Sequence, residues 1–238
     1  MDLKETDILG DDISQHWYYR SKAKAITQLL GKTRPSTILD VGAGSGFFSR
    51  YLLDNTTAQE AWCVDISYDN DSDILQNEKP IHFRRSIGHI DADVVLLMDV
   101  LEHVDDDVGL LNYYVNKVPK GSRFIISVPA FQFLWSGHDI FLEHKRRYKL
   151  SQIENVALSA GLTITKGTYY FGAVFPITAT MRIYTRISTS NDVPVRSQLA
   201  KHNLFVNGTL TILCSLELPL MRFNRVAGLT AFCLAEKP

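Results

Sequence analysis

The chain has 238 residues, 45% hydrophobic and 21% charged, which suits one large α/β core and excludes a disordered or fibrous chain. Lys and Arg number 25 against 26 Asp and Glu, for a formal net charge of −1, so there is no electrostatic footprint for nucleic acid. Cys63, Cys214 and Cys233 lack paired or metal-type spacing, and the polar N-terminus lacks an apolar signal segment, so the expectation is reduced core cysteines in a cytoplasmic protein, peripheral membrane contact remaining open.

Residues 14–31 predict a helix stopped by Gly31, with Pro35 beyond. It opens on His16-Trp17-Tyr18-Tyr19-Arg20. Adjacent rings are costly to leave in water, so they either cover a sheet edge or close over a ligand. Gly31-Lys32-Thr33 fails as a phosphate loop, because Ile26 stands where its first glycine is needed. Strand one, 37–41, contains Asp40, and Gly42, Gly44 and Gly46 follow at alternate positions before a helix over 46–54. A glycine turn between strand and helix lets a ligand approach the backbone with no Cβ in the way. The G-x-G-x-x-G dinucleotide spacing is not met: Phe47 holds the third position counted from Gly42, and Ser49 counted from Gly44. Strand two, 61–66, ends in Asp65-Ile66. A carboxylate there either is simply solvated or accepts hydrogen bonds from both ribose hydroxyls.

A third strand covers 81–86, and 93–98 is a continuous apolar run, as in a parallel strand buried on both faces. That run stops at Asp99-Val100-Leu101-Glu102-His103-Val104. A helix over 105–118 opens on Asp105-Asp106-Asp107, acids that suit the positive end of a helix dipole without a metal. Strand five is 123–128. A helix over 151–160 has Ser151 as N-cap, Glu154 completing a capping box and Gly161 as its stop. Strand six, 162–170, and a last strand, 227–236, complete an alternating α/β order.

The D-x-G-x-G-x-G run from Asp40, the acid Asp65 and the D-x-L-E-H-V string from Asp99 occur in that order. Over roughly residues 36–130 they resemble motif I, the strand-two acid and motif IV of class I S-adenosylmethionine (AdoMet)-dependent methyltransferases of the small-molecule and lipid-pathway type. The resemblance implies a Rossmann-like, doubly wound, seven-stranded, mostly parallel sheet with an antiparallel last strand, and AdoMet as cofactor. It implies that Asp40 faces the cofactor and that Gly42, Gly44 and Gly46 receive its methionine part. It also implies that Asp65 and Ile66 meet the ribose, that Ser86 and Ile87 flank the adenine, and that Asp99 and Val100 line the pocket. His103 would cap that pocket, or else only pack at a helix start. A similar H-W-[WY]-[FY] string precedes motif I in this subgroup, implying a lid role for Trp17; Arg20 is then placed to fork onto the cofactor carboxylate.

Three regions exceed a minimal fold of this kind. The N-terminal helix is one. The second follows strand five and mixes Phe131, Phe133, Trp135, Phe141 and Tyr148 with His138, Asp139, His144, Arg146 and Arg147. It leaves the carboxyl end of a strand, where open α/β sheets hold ligands. Methyl transfer needs alignment and, for a hydroxyl acceptor, removal of a proton. His138 and His144 are the candidate bases, with Asp139 to orient one of them. Phe131, Trp135, Arg146, Arg147 and Tyr148 are candidate substrate contacts, unless His-Lys-Arg-Arg is a solvated turn above Tyr148. A zinc site from His138, Asp139 and His144 matches no defensible spacing, so no metal is expected.

The third region, 171–226, predicts two amphipathic helices, with Arg182 and Arg186 on one face of the first. Leu204 to Met221 has the length of a membrane span but carries Glu217 and Pro219, so it is not read as transmembrane. The insertion either adds a layer to the domain, covers the substrate site, forms a homodimer interface or rests on a membrane. The expected organisation is one domain, with 1–35 as an N-terminal helical lid, 36–170 as core, 171–226 as the helical insertion and 227–238 as the last strand. The expected function is methyl transfer from AdoMet to a small-molecule or lipid-linked acceptor at oxygen. A catalytically silent AdoMet-binding or membrane-associated scaffold is one rival, and an NAD-dependent oxidoreductase is another.

Overall fold

In the computed structural model, which describes residues 10–188 and 203–238, the strands are β1 (Thr37–Val41), β2 (Glu60–Val64), β3 (Ser72–Gln76), β4 (Lys79–Arg84), β5 (Val94–Met98), β6 (Arg123–Pro129), β7 (Thr163–Tyr170) and β8 (Thr230–Glu236). The helices are α1 (Trp17–Leu30), α2 (Phe47–Asn55), α3 (Asp107–Val115), α4 (Gly137–Phe141), α5 (Leu150–Ser159), α6 (Phe175–Ser188) and α7 (Leu204–Met221). The first nine residues of the expected lid, and 189–202 of the expected insertion, lie outside the described residues.

All eight strands join one sheet in the order β3-β4-β2-β1-β5-β6-β8-β7. The strands from β4 to β6 run parallel, and β8 inserts antiparallel between β6 and β7. This is the Rossmann-like arrangement, with one strand beyond the seven expected. The extra strand, β3, makes an antiparallel hairpin with β4 through Asn77 and Glu78, both in the left-handed region. A hairpin turn with two positive φ angles is usually marked by Asn-Gly or Asp-Gly, and the glutamate hid it.

Every residue of β1 and β5 is buried. Their side chains alternate between two cores, as the pleat demands. Ile38, Val94, Leu96 and Met98 face one core, with Ile26, Phe48 and Leu52 of α1 and α2. Leu39, Val41, Val95 and Leu97 face the other, with Leu111 of α3 and Ile153 of α5. All three cysteines are buried and free. The cap of α5 differs from the expected Ser151–Glu154 box. Lys149 is the N-cap and donates its N–H to the Gln152 side chain at 2.7 Å. Glu154 instead pairs with Arg225 at 2.8 Å.

Helix α7 lies along α1 and is tied to the domain at intervals. The Asn207 side chain accepts from the Trp17 N–H and donates to the Gln15 carbonyl, both at 2.8 Å. Glu217 accepts from the N–H groups of Gly172 and Ala173 at 2.7 and 3.0 Å. Its other faces are apolar and exposed, at Leu204, Phe205, Ile212, Leu216 and Leu220. Among the described residues α7 is the one helix long and apolar enough to cross a membrane by length and composition, with a mean hydropathy of 1.5.

The buried face of α1 includes a lysine. Lys22 is fully buried and forms an ion pair with Asp99, just beyond β5. Tyr18, one turn earlier, donates to the same carboxylate at 3.3 Å. The pair pins the helix across the strand ends. Removing one partner of a buried pair strands the other charge, at about 3–5 kcal/mol. The Asp99 side chain keeps 25% exposure, which places this case at the low end. Lys22→Met is therefore expected to lower folding stability by about 3 kcal/mol, measured by urea denaturation. An unchanged midpoint would show that the pair does not seat the helix.

Candidate functional site

The carboxyl ends of β1, β2, β5 and β6 converge on one edge of the sheet, where open α/β folds hold ligands. Gly42, Gly44 and Gly46 follow β1 with φ of 65, 53 and 71°. Only glycine adopts this region without strain. A Cβ at Gly42 would stand 2.6 Å from Val100 Cγ2, and one at Gly46 would stand 3.1 Å from the Phe83 ring. Val100 thus packs against the glycine turn. The turn is tied to β2: the Gly44 N–H donates to Asp65 at 3.0 Å, and the Tyr68 hydroxyl donates to the Gly44 carbonyl at 2.6 Å. Ser45 Oγ, at the centre of the turn, is buried with no hydrogen-bond partner. Asp40 is buried beneath, accepts from Ser49 at 2.8 Å, and is pushed up to about 6 by burial.

Around the turn, Ile66 is 84% exposed next to Asp65. Ser86 is exposed, and the half-buried Ile87 accepts from Lys117 through its carbonyl. Trp17 stands edge-on to Phe171 at 5.6 Å, and its buried indole N–H has no hydrogen-bond partner. Arg20, by contrast, is exposed, and its charge acts on Tyr51 of α2. The cation that α1 delivers to the strand ends is Lys22. Its signal in the sequence is a lysine between Tyr19 and Ile26 on the apolar face. Asp99 has φ of 55°, a left-handed conformation costly for a residue other than glycine. Besides Lys22 and Tyr18, its carboxylate accepts from Ser127 at 3.2 Å. Burial would raise it, but the Lys22 ammonium outweighs burial and holds it below the usual carboxylate range.

The segment after β6 supplies the second half of the site. Asp139 is fully buried and is gripped by Arg147 through two nitrogens at 2.6 and 3.0 Å and by the Ser136 N–H at 2.8 Å. It also accepts from the Ser136 hydroxyl at 3.2 Å and pairs with His144 Nδ1 at 3.0 Å. Burial would raise this carboxyl, yet His144 and Arg147 together hold it well below the ordinary range. Asp139 therefore orients His144. The His144 ring lies 4.9 Å from that of His103 and 6.5 Å from that of His138. Burial lowers His103 and His138 to about 4, with His144 adding to the effect at His103. Glu102, beside His103, is fully buried, and neither carboxyl oxygen has a hydrogen-bond partner. Burial and then Asp99 push it well above its usual range.

Arg146, Arg147 and Tyr148 line one cavity together and also make contacts within the protein. Arg147 is spent on Asp139 and on the Ala130 carbonyl. Arg146 pairs with Asp107 at 3.3 Å and donates to the carbonyls of Val104 and Asp105. Tyr148 donates to Asp107 at 2.7 Å and to the Leu101 carbonyl at 3.1 Å. Together they bolt the segment to the stretch after β5. Phe131 stacks on Tyr169 at 4.9 Å and meets Phe175 of α6 at 5.6 Å. Arg182 of the same helix donates to the Leu134 carbonyl, so α6 borders the Phe131–Trp135 loop.

A mixed Rossmann-like sheet with a glycine turn after β1 and an acid after β2 defines the class I AdoMet-dependent methyltransferase fold. A family model described as a methyltransferase domain matches residues 14–166, well over half of the chain. The chain belongs to this family, and it is an AdoMet-dependent methyltransferase. Solved structures agree on the fold. A chain in the complex between the Haloferax volcanii activator Trm112 and its methyltransferase partner has a TM-score of 0.58 at 14% identity, covering 100% of this chain and 99% of that one. Haemonchus contortus phosphoethanolamine N-methyltransferase 2, with phosphomonomethylethanolamine and S-adenosylhomocysteine, has a TM-score of 0.57 at 16% identity, covering 98% of this chain and 56% of that one. The [4+2]-cyclase SpnF has a TM-score of 0.56 at 12% identity, covering 93% and 82%. No curated protein matches.

The depressed His138 has a sign that can be checked. With a folded value of about 4 against about 6.5 unfolded, the unfolded chain binds the proton first. Stability from this residue is complete above pH 6.5 and is lost as pH falls from there toward 4. His138→Gln is expected to reduce the acid-side loss between pH 7.5 and 5 by about 2 kcal/mol. Urea denaturation of parent and variant at both pH values reads the difference, and equal losses would refute the assignment.

Proposed function

We propose that this methyltransferase acts on an oxygen of a small or lipid-linked acceptor, with the cofactor at the glycine turn and the acceptor between that turn and His144. The observation that carries the reading is the Asp139–His144 pair beside the strand ends.

The residues around the turn fit AdoMet. Ser45 Oγ and the Trp17 indole N–H are buried polar atoms without protein partners, which a polar ligand would satisfy. Asp65 offers a carboxylate to ribose hydroxyls, and exposed Ile66 offers an apolar surface to a flat ring. Gly42, Gly44 and Gly46 let the chain take the left-handed turn whose backbone would face the methionine part. Asp99, Val100 and His103 close the side toward β5, with Asp40 underneath. When bound, AdoMet supplies a methyl group already activated on sulfur. The chain's own residues must align an acceptor and manage its proton. Asp139 takes the Nδ1 side of His144, which leaves Nε2 for the acceptor hydroxyl. His144 thus serves as general base or as the hydrogen-bond partner that aligns the oxygen.

The apolar acceptor follows from what surrounds the site. Phe131, Phe133 and Phe175 form an aromatic group beside it. Helices α6 and α7 expose Ile177, Met181, Ile187, Leu216 and Leu220. A surface of this kind marks an interaction site. Because Asn207 and Glu217 hold α7 against the domain along its length, the geometry favours lying on a bilayer over crossing one. A homodimer through the same helices is the alternative cover.

Asp65→Ala should weaken AdoMet binding by about 1–3 kcal/mol, because ribose hydroxyls lose a charged acceptor. Calorimetry on the folded variant checks this, and parental affinity would remove Asp65 from the site. His144→Ala should lower kcat by about 10²–10⁴-fold and leave AdoMet affinity nearly intact. Turnover at the parental rate on any accepted substrate would show that His144 neither moves the proton nor aligns the oxygen.

A further inference from the structure

We infer that Glu102, His103 and His144 form a binding site for one divalent first-row transition-metal ion on the acceptor side of the strand ends. One ligand atom from each residue lies within 4.8 Å of the others. Bonds of about 2.0–2.2 Å place ligands roughly 3–3.5 Å apart, so modest side-chain adjustments close the set. The backbone already holds the two contributing stretches together, since the Lys145 N–H donates to the Glu102 carbonyl at 2.8 Å.

Glu102 is the observation that demands an explanation. A fully buried carboxyl with both oxygens unpartnered among the described residues is unfavourable. Neither oxygen finds a hydrogen-bond donor among the described residues, and a cation is the ligand that suits it. The two histidines are prepared for the same task. Neutral imidazole is the ligating form. His144 Nδ1 is held by Asp139 at 3.0 Å. A carboxylate on the far nitrogen of a histidine is the usual outer support of a metal ligand, fixing the ring and aiming Nε2. The nearby cations do not oppose a metal, because Lys22 is paired with Asp99 and Arg147 with Asp139.

Two nitrogens and one carboxylate oxygen suit Zn²⁺, Co²⁺, Mn²⁺ or Fe²⁺, and three protein ligands leave positions open. The use of those positions rests on the acceptor-oxygen reading above; the existence of the site does not. An acceptor hydroxyl placed there would lose its proton to water more readily near neutral pH. The oxygen–methyl bond then forms as the carbon–sulfur bond breaks, and sulfur keeps that electron pair. With the ion bound, this ligand role replaces the direct contact of His144 with the acceptor oxygen, and water takes the proton.

The test uses the full chain, stripped of metal with a chelator and titrated with Co²⁺ alone. Calorimetry reads stoichiometry, and visible absorption reads the coordination bands. One ion per chain is expected. Glu102→Gln, nearly isosteric with the protonated acid, should keep the fold by circular dichroism yet weaken Co²⁺ binding at least tenfold. His144→Asn should do the same from the other stretch of chain. No binding at millimolar Co²⁺, or parental affinity in both variants, would overturn the site. AdoMet titrations of the same samples report separately on the cofactor pocket, so a failure there is distinguishable from a failure of the metal site.

Discussion

The functional edge of this molecule depends on a charge that water does not reach. Lys22 has no exposed surface, so its ammonium has to find its counter-charge inside the protein. It finds Asp99, in a left-handed conformation that costs of order 1–3 kcal/mol for such a residue. The pair anchors α1 over the strand ends, and α1 carries Trp17 and Tyr18 with it. Tyr18 stacks on Phe171 at 5.1 Å, so the far end of β7 joins the same contact.

A second ionic knot, around Asp139, organises the other wall. Its carboxylate is satisfied by Arg147, Ser136 and His144 at once. Satisfied networks of this kind are rigid, because each member would be costly to leave alone. Glu102 sits between the two knots and belongs to neither. Everything charged around it is compensated, which makes its lack of a partner the more telling.

The parts of this architecture that could be read from sequence are those governed by periodicity and backbone chemistry. An unbroken apolar run marked β5, because a strand covered on both faces has no reason to alternate. Three glycines at alternate positions marked a turn that needs positive φ. The Asp139 support of a histidine was also readable as a residue-type pattern, although not which histidine it would choose. The rest depended on contacts distant in sequence. The partners of Arg146, Arg147 and Tyr148 within the protein, Asp107, Asp139 and the carbonyls after β5, lie elsewhere in the chain. Lys22 was hidden because a lone lysine on an apolar helix face reads as a surface residue until its partner is known. The β3–β4 hairpin escaped because its Asn77-Glu78 turn carries no glycine.

Helix α7 has a consequence that follows from its attachments. Its Asn207 side chain accepts the first N–H of α1, and α1 carries the lysine that fixes Asp99. Whatever covers the apolar faces of α7 therefore acts on a helix that shares its hydrogen bonds with α1, which is pinned across the strand ends. Thermodynamic linkage makes any such effect reciprocal. If occupation of the outer surface tightens the hold on the methyl donor by some factor, a bound donor tightens the hold on that surface by the same factor. The enzyme's residence at its place of work and its charge of cofactor would then be two readings of one equilibrium.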